Sequence, residues 1–181
     1  MKLFYPDPEL TDGVVRLRRW LLTDTECVRR ASADPSIPQV TSVPAVFTPE
    51  GGRAFIKRVW SCLENREGVA LALTDAATDE AVGQVWIGVR PQPGVVGLGY
   101  WIVPDARGRG LATRAVRLAA AWALGPLGAA RMEAWVAPEN EPSMRTLASA
   151  GFHREGVLRS FLSLGHGRSD IVVWSRLPTD E

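Results

Sequence analysis

The chain has 181 residues, of which 46% are hydrophobic and 23% charged, and its formal net charge is +1. This length suits one domain over residues 1–181 with its core at about 14–178, because a chain of this size can bury most of its unfolded surface. The near-neutral charge provides no general attraction to nucleic acid, and no apolar run reaches the length of a membrane span.

The two cysteines, Cys27 and Cys62, have neither the number nor the spacing of a disulfide framework or a metal site. We therefore expect reduced thiols and no metal, in a protein of the cytoplasm. Neither cysteine lies near the motifs described below, so we expect no covalent cysteine intermediate.

The N-terminal third is predicted to be largely helical after one strand. Alternating apolar residues over 14–20 indicate that strand. Thr23 or Asp24 then caps a short helix that runs to about Ala33. Residues 34–47 contain three prolines and are predicted to form a loop.

A second helix and three strands are predicted to follow. Thr48-Pro49-Glu50 has the residue types of a helix start: a hydroxyl cap, a proline at the first helical position and an acid in the first turn. Apolar residues then repeat at helical spacing as far as Leu63. Strands are predicted over 69–73, 81–89 and 95–103, separated by turns.

The C-terminal half is predicted to combine two helices with three strands. One helix ends near Leu124, where Gly125-Pro126 stops it. The remaining elements are, in order, a strand at 131–136, a short helix at 142–150 and strands at 152–162 and 170–177. This succession indicates one mixed α/β domain.

The segment 105–115 places two glycines and two arginines within four residues, at the start of the helix that ends near Leu124. A helix start has unpaired N–H groups and a partial positive charge. Gly108 and Gly110 would let a ligand lie directly on those groups, because neither residue has a side chain. Arg107 and Arg109 add donors suited to phosphate oxygens, so the segment predicts a diphosphate site.

Two common phosphate-binding loops do not fit this segment. The nucleotide-triphosphate loop requires Lys-Ser/Thr after its last glycine, where this chain has Leu111-Ala112. The dinucleotide fingerprint requires a third glycine at the position of Thr113, and it follows the first strand of a repeated βαβ unit. Neither condition is met here.

The loop 107–112 instead resembles the coenzyme A pyrophosphate loop of the GCN5-related N-acetyltransferases, Arg/Gln-x-x-Gly-x-Gly/Ala. Further segments stand in the order of that family: Gly99-Tyr100-Trp101-Ile102 before the loop, Asn140-Glu141-Pro142-Ser143 after it, and then Ala150-Gly151-Phe152. The last strands are similar to those of the ribosomal-protein acetyltransferase branch (RimJ/RimL-type). The resemblance extends over residues 14–178.

This resemblance implies a single α/β domain with a mixed, mostly antiparallel sheet, splayed central strands and flanking helices. It implies acetyl-CoA as co-substrate, with its pantetheine arm paired to backbone groups near Ile102 and Val103. The residues implied in cofactor binding are Trp101, Ile102, Val103, Arg107, Gly108, Arg109, Gly110, Leu111, Ala112, Thr113, Asn140 and Ser143.

The resemblance also implies a catalytic role for Ser143, whose hydroxyl would protonate the leaving thiolate. The alternative is that Asn140 and Ser143 only cap the helix that they begin, which both residue types do well. The hydroxyl of Tyr100 and water are the other candidate acids.

A general base is missing from the two positions where many relatives have glutamate, which hold Gly97 and the stretch 160–163 here. The remaining candidates are Glu133, Asp170, His166 or a chain of water molecules. A base is not essential if the acceptor is an α-amine, because its pKa of roughly 8 leaves a useful neutral fraction, unlike lysine at about 10.4.

The acceptor is expected to be a protein N-terminal α-amine or a small amine, bound beside Phe47 and Trp60. Five tryptophans alternate with apolar neighbours, and most of them are expected in the core: Trp20, Trp60, Trp86, Trp135 and Trp174. The alternatives are an antibiotic or polyamine acetyltransferase, or an acyl-CoA-binding module without activity. A homodimer is compatible with the sequence.

Overall fold

The computed structural model describes residues 1–163 and 167–180. Eight strands join in one sheet in this part of the chain. In chain order they are β1 (Leu10–Thr11), β2 (Val15–Arg18), β3 (Gly68–Asp75), β4 (Ala81–Val89), β5 (Val95–Ile102), β6 (Arg131–Val136), β7 (His153–Ser163) and β8 (Arg168–Arg176). The α-helices are α1 (Thr25–Ser32), α2 (Ile37–Val40), α3 (Pro49–Glu64), α4 (Leu111–Leu124) and α5 (Glu141–Ser149).

The strand order across the sheet is β1-β2-β3-β4-β5-β6-β8-β7. Neighbouring strands run antiparallel except β5 and β6, which run parallel. A parallel pair needs a crossover, and α4 provides it by packing on β4, β5 and β6. The predicted α/β class and mixed, mostly antiparallel sheet are therefore confirmed.

Several elements begin where their sequence signals predict. Thr48 caps α3 by accepting a hydrogen bond from the Gly51 N–H at 2.9 Å. Gly110 adopts a positive φ of 73° and ends the loop directly before α4. Phe55, Ile56 and Val59 of α3 are buried in the core, as their helical spacing predicts.

The prediction of an unbroken loop over 34–47 is wrong, because α2 forms within it. The Asp34 carboxylate accepts hydrogen bonds from the Ser36 N–H at 2.7 Å and the Ile37 N–H at 3.1 Å. These bonds satisfy N–H groups at the helix start, and Pro38 is tolerated in a first turn. The two-residue strand β1 was also not predicted, since two residues show no periodicity.

None of the helices in the described residues is both long enough and apolar enough to cross a membrane.

Candidate active site

The central strands separate where the sheet is parallel. Pairing between β5 and β6 ends at Leu98 and Ala134. Beyond this point β5 remains paired with β4 as far as Ile102, whereas β6 follows β8 as far as Val136. The two strands therefore diverge and leave a gap at the end of the sheet that precedes α4.

Backbone groups of β5 alternate between the gap and the neighbouring strand. The Val103 N–H donates to the Val82 carbonyl at 2.9 Å, which sets the hydrogen-bonding phase of the antiparallel β4–β5 pair. By this alternation Tyr100 and Ile102 direct their backbone groups into the gap, and Trp101 and Val103 direct theirs toward β4. The Val103 N–H is thus already used, and the backbone groups that remain available in the gap are those of Tyr100 and the N–H of Ile102, whose carbonyl accepts a hydrogen bond from Arg107.

The glycine loop leaves open space above the start of α4. Gly108 and Gly110 have φ values of 76° and 73°, and a Cβ built on either would meet no atom within 4 Å. No side chain caps the 14-residue helix α4. Its first N–H groups, from Leu111 onward, therefore remain available to an anion.

The two loop arginines are held differently. The Arg107 Nε donates to the Ile102 carbonyl at 3.0 Å, and its guanidinium pairs with Asp34 at 2.7 Å. Arg109 instead pairs with Asp75 at 2.9 Å. Arg107 is thus fixed between the end of β5 and the start of α2, whereas Arg109 is drawn toward the β3–β4 turn.

A cavity of about 500 Å³, here called the loop cavity, lies between the glycine loop, α2 and α5. It collects most of the predicted cofactor-binding residues: Trp101, Ile102, Arg107, Gly108, Gly110, Leu111, Ala112, Thr113, Asn140 and Ser143. Val103 and Arg109 do not line it. Val103 is fully buried, and Arg109 is turned away by its ion pair.

A second cavity of about 480 Å³, here called the tryptophan cavity, lies on the other side of the gap. Trp86, Trp101 and Trp135 contribute to its wall. The residues common to both cavities are Val40, Thr41, Tyr100, Trp101, Asn140 and Ser143. The two cavities therefore meet around the side chains of Tyr100 and Ser143.

The junction contains a pair of hydroxyl groups. The Tyr100 and Ser143 hydroxyl oxygens lie 2.8 Å apart, and the Tyr100 hydroxyl also lies 3.2 Å from the Ser143 carbonyl oxygen. Burial raises the pKa of Tyr100, and the hydrogen bond from Ser143 only partly opposes this effect. Tyr100 is therefore protonated at neutral pH, and the pair can deliver a proton.

The structure separates the two predicted roles of the Asn140–Ser143 segment. Asn140 is the N-cap of α5, and its Oδ1 accepts the Ser143 N–H at 3.1 Å. The Ser143 hydroxyl is not a cap and turns toward Tyr100 instead. This arrangement leaves the hydroxyl available for chemistry.

The candidate carboxylate bases lie elsewhere. Glu133 accepts hydrogen bonds from Arg131 Nε at 2.8 Å and Trp135 Nε1 at 3.3 Å, and Asp170 accepts the Ser160 N–H at 2.7 Å. Neither carboxylate lines the loop cavity or the tryptophan cavity. His166 lies outside the described residues.

The structure does not bring Phe47 and Trp60 to either cavity. Phe47 packs against the backbone of Gly52, and the Trp60 Nε1 donates to the Trp20 carbonyl at 2.9 Å. Val59 and Cys62 of α3 line the tryptophan cavity instead. Trp60 lies on the same helix as Val59 and Cys62 but faces away from the cavity, because one residue turns a helix by roughly 100°, and Phe47 precedes this helix.

Two of the tryptophans expected in the core form the cavity wall. Trp86 and Trp135 are half-buried, whereas Trp20 is fully buried as predicted. Alternation with apolar neighbours shows which face of a strand a residue occupies, but not whether a helix covers that face. For Trp86, the signal that could have identified it is its register opposite Gly99 and its position two residues before Gly88.

Residues 15–153 match the family described as an acetyltransferase (GNAT) domain, and the chain belongs to this family. It is similar to the probable N-acetyltransferase YjcK of Bacillus subtilis (strain 168), with 33% identity over 137 residues that cover 75% of this chain and 76% of the relative.

Solved structures share the fold at lower identity. The acetyltransferase (GNAT family) from Bacillus anthracis superposes with a TM-score of 0.82 and 19% identity, over 95% of this chain and 99% of that one. Mycobacterium smegmatis RimJ, solved in complex with CoA-disulfide, superposes with a TM-score of 0.79 and 22% identity, over 94% of this chain and 85% of that one. The resemblance to N-acetyltransferases and to the RimJ/RimL-type fold is confirmed.

Proposed function

We propose that this protein transfers an acetyl group from acetyl-CoA to a primary amine by direct attack within a ternary complex. The observation that carries the proposal is the meeting of two cavities at the Tyr100–Ser143 hydroxyl pair. One cavity is bounded by an anion-binding helix start and the other by apolar side chains. This arrangement suits a donor and an acceptor that approach each other from opposite sides of the sheet.

The loop cavity fits a coenzyme A diphosphate. Gly108 and Gly110 leave room above the uncapped start of α4, where the N–H groups of Leu111 to Thr113 would hold the phosphate oxygens. Arg107 lines the same cavity and would add a charged donor. The RimJ structure with CoA-disulfide supports the assignment.

The diverging strands fit the rest of the co-substrate. The backbone groups of Tyr100 and the N–H of Ile102 are directed into the gap, where an extended arm can pair with them as an added strand would. An N–H on this edge can also polarise a thioester carbonyl. Acetyl-CoA supplies the activated acetyl group when it is bound.

The residues at the junction would supply a proton to the leaving thiolate. Ser143 is the proposed acid, and Tyr100 holds its hydroxyl at 2.8 Å. The attacking amine loses its proton to water, because none of the described carboxylates lines either cavity. An amine with a pKa near that of an α-amine, roughly 8, is a better acceptor for such a site than lysine.

A covalent cysteine intermediate is not part of this proposal. Cys62 lies closer to the site than expected from the sequence, because it lines the tryptophan cavity. Burial raises the pKa of the Cys62 thiol, and burial raises the pKa of Cys27 further. Both thiols are therefore poor nucleophiles at neutral pH.

Release of free CoA thiol tests the proposal directly. The purified protein is mixed with acetyl-CoA and a panel of N-terminal peptides, aminoglycosides, polyamines and simple amines, and thiol is followed with time. We expect amine-dependent release with at least one acceptor class. CoA binding by calorimetry without thiol release from any amine would instead identify an acyl-CoA-binding module without activity.

A further inference from the structure

The wall of the tryptophan cavity is uncharged. Among residues 1–163 and 167–180, the residues that line it include no Asp, Glu, Lys, Arg or His. Its largest components are the side chains of Trp86, Trp101 and Trp135, with aliphatic residues between them. A group with a full charge would therefore lose its hydration here without gaining an ionic partner.

Trp86 is held flat across the sheet by glycines on the strands around it. A Cβ at Gly88 would lie 2.6 Å from the Trp86 Nε1, and one at Gly68 would lie 2.5 Å from the Trp86 ring and closer still to the Ile87 carbonyl oxygen. A Cβ at Gly99, which faces Trp86 in the β4–β5 register, would be in ordinary contact at 3.7 Å. The glycines thus make room for an indole that lies down and exposes one face, rather than standing in the core.

Trp135 is also fixed in place. The Arg90 guanidinium lies 3.6 Å from the centre of its ring, and Phe161 packs edge-on at 4.9 Å. These contacts orient the indole before any ligand arrives. A preorganised aromatic surface binds a flat or bulky apolar group with little loss of side-chain entropy.

Two buried polar groups of this wall lack hydrogen-bond partners in the part of the chain that the structure describes. Gln84 is only 9% exposed, and its Oε1 has no hydrogen-bond partner in the described residues. The buried Trp101 Nε1 is also without one in this part of the chain. Gln84 stands opposite Trp101 in the register, next to Tyr100, so an acceptor and a donor lie unsatisfied beside the proposed reaction centre. Such groups in native proteins are usually completed by a ligand or an ordered water.

We infer that the tryptophan cavity selects a primary amine whose neighbouring carbon carries a large aromatic or branched apolar group, and that Gln84 provides the polar contact for the amine end. The inference rests on the proposed function and names its acceptor class. Either a free arylalkylamine or a peptide with a bulky apolar first residue has this chemistry. Polyamines and aminoglycosides are excluded because each carries further ammonium groups that the wall cannot pair.

Matched acceptors test this selectivity. With acetyl-CoA saturating, kcat/KM per neutral amine is measured for 2-phenylethylamine, ethylamine and spermidine, and for dipeptide amides that begin with Phe or Gly. Burial of a phenyl group predicts a preference of roughly 10- to 100-fold for 2-phenylethylamine over ethylamine, and spermidine should be the poorest. The dipeptide amide that begins with Phe, compared with 2-phenylethylamine, shows whether a peptide or a free amine is the better acceptor. Equal rates, or a preference for spermidine, would overturn the inference.

A binding measurement separates failure of the inference from failure of the proposed function. Calorimetry with 2-phenylethylamine and ethylamine, on protein saturated with CoA, does not depend on turnover. Preferential binding of the aromatic amine without any thiol release would support the cavity's selectivity and refute the transferase proposal. Thiol release without a preference for the aromatic amine would support the transferase proposal and refute the cavity's selectivity.

Variants assign the selectivity to residues. Trp86→Leu should reduce the aromatic preference about 10-fold while leaving the KM for acetyl-CoA unchanged, because only the acceptor wall is altered. Trp122→Leu is the matched control, since Trp122 is buried against Phe4 and lines neither cavity. An identical loss of preference in both variants would contradict the assignment.

Two substitutions of Gln84 test its proposed contact with the amine. Gln84→Leu should raise the KM of every amine without changing CoA affinity. Gln84→Glu adds a carboxylate to the uncharged wall and should raise the kcat/KM of spermidine relative to 2-phenylethylamine at least several-fold. A purely structural glutamine would leave that ratio unchanged in Gln84→Glu, and this result would remove Gln84 from the inference.

Discussion

Gly110 offers a way to add charge to the proposed diphosphate site without disturbing the fold. Its φ of 73° is left-handed, and a Cβ there would meet no atom within 4 Å. Asparagine and aspartate tolerate this conformation better than other side chains. Gly110→Asp and Gly110→Asn therefore have nearly the same shape and the same backbone strain, and they differ in one negative charge.

The size of the effect follows from Coulomb's law. A carboxylate at the start of α4 would lie beside the anion held by the N–H groups that follow Gly110. Two unit charges about 4 Å apart repel by about 1 kcal/mol in water and about 4 kcal/mol at the effective dielectric constant of a protein surface. We take about 2–4 kcal/mol for the net loss, which corresponds to roughly 30- to 1000-fold weaker CoA binding by the aspartate variant than by the asparagine variant.

Stability should change in the opposite direction. A negative side chain at a helix start interacts favourably with the helix dipole, by about 0.3–1 kcal/mol. The aspartate variant should therefore melt at or slightly above the temperature of the asparagine variant. Thermal melts exclude unfolding as the cause of any lost binding.

Calorimetric titration of both variants with CoA is the assay. Equal affinities for Gly110→Asp and Gly110→Asn, in folded protein, would mean that the diphosphate does not lie at the start of α4. The reasoning from the glycine loop would then be refuted.

Three further predictions concern the residues around the loop and the junction. Ser143→Ala should lower kcat roughly 10²–10⁴-fold with unchanged CoA affinity and melting temperature, because Asn140 rather than Ser143 caps α5; an unchanged kcat would return the acid role to Tyr100 or water. CoA affinity should fall as salt rises and should depend more on Arg107 than on Arg109, so comparable titrations of the two alanine variants would contradict the geometry. Burial favours a raised pKa for Asp34, but hydrogen bonds from Ser36 and Ile37 and the charge of Arg107 lower this pKa to about 2, below its usual value of 3.8. Because this pKa is depressed on folding, the stabilisation is present above about pH 4 and is lost as the pH falls toward 2; the difference in unfolding free energy between wild type and Asp34→Asn, from urea titrations, should shrink over that window.

Local signals were sufficient for elements with a clear period or a strong cap. The strands Ala81–Val89 and Arg131–Val136 have the predicted bounds, and α3 begins directly after Thr48. Each of these signals involves residues that are neighbours in the chain. The helix α2 was missed because its start depends on the carboxylate of Asp34, which the three prolines of the segment obscured.

The candidate site likewise combines a feature that neighbouring residues signal with one that depends on residues far apart in the chain. The glycine loop could be read from the sequence because the helix start that it precedes is local. The pairing of Tyr100 with Ser143 could not, because it joins residues 43 positions apart across the divergence of β5 and β6. Phe47 and Trp60 line neither cavity, because composition identifies an apolar helix but not which of its residues face a cavity.

The glycines beside the Trp86 indole constrain how this protein can evolve or be redesigned. Alanine at Gly88 collides with the indole while Trp86 is present, and a smaller residue at position 86 alone leaves an unfilled space beside this glycine. The effects of the two substitutions are therefore coupled, and the order in which they are introduced matters. A route to a differently shaped acceptor cavity has to begin with a smaller residue at position 86 and fill position 88 afterwards, because the reverse order passes through a clash. Gly68 cannot be replaced in either order, because a Cβ there would also collide with the Ile87 carbonyl oxygen.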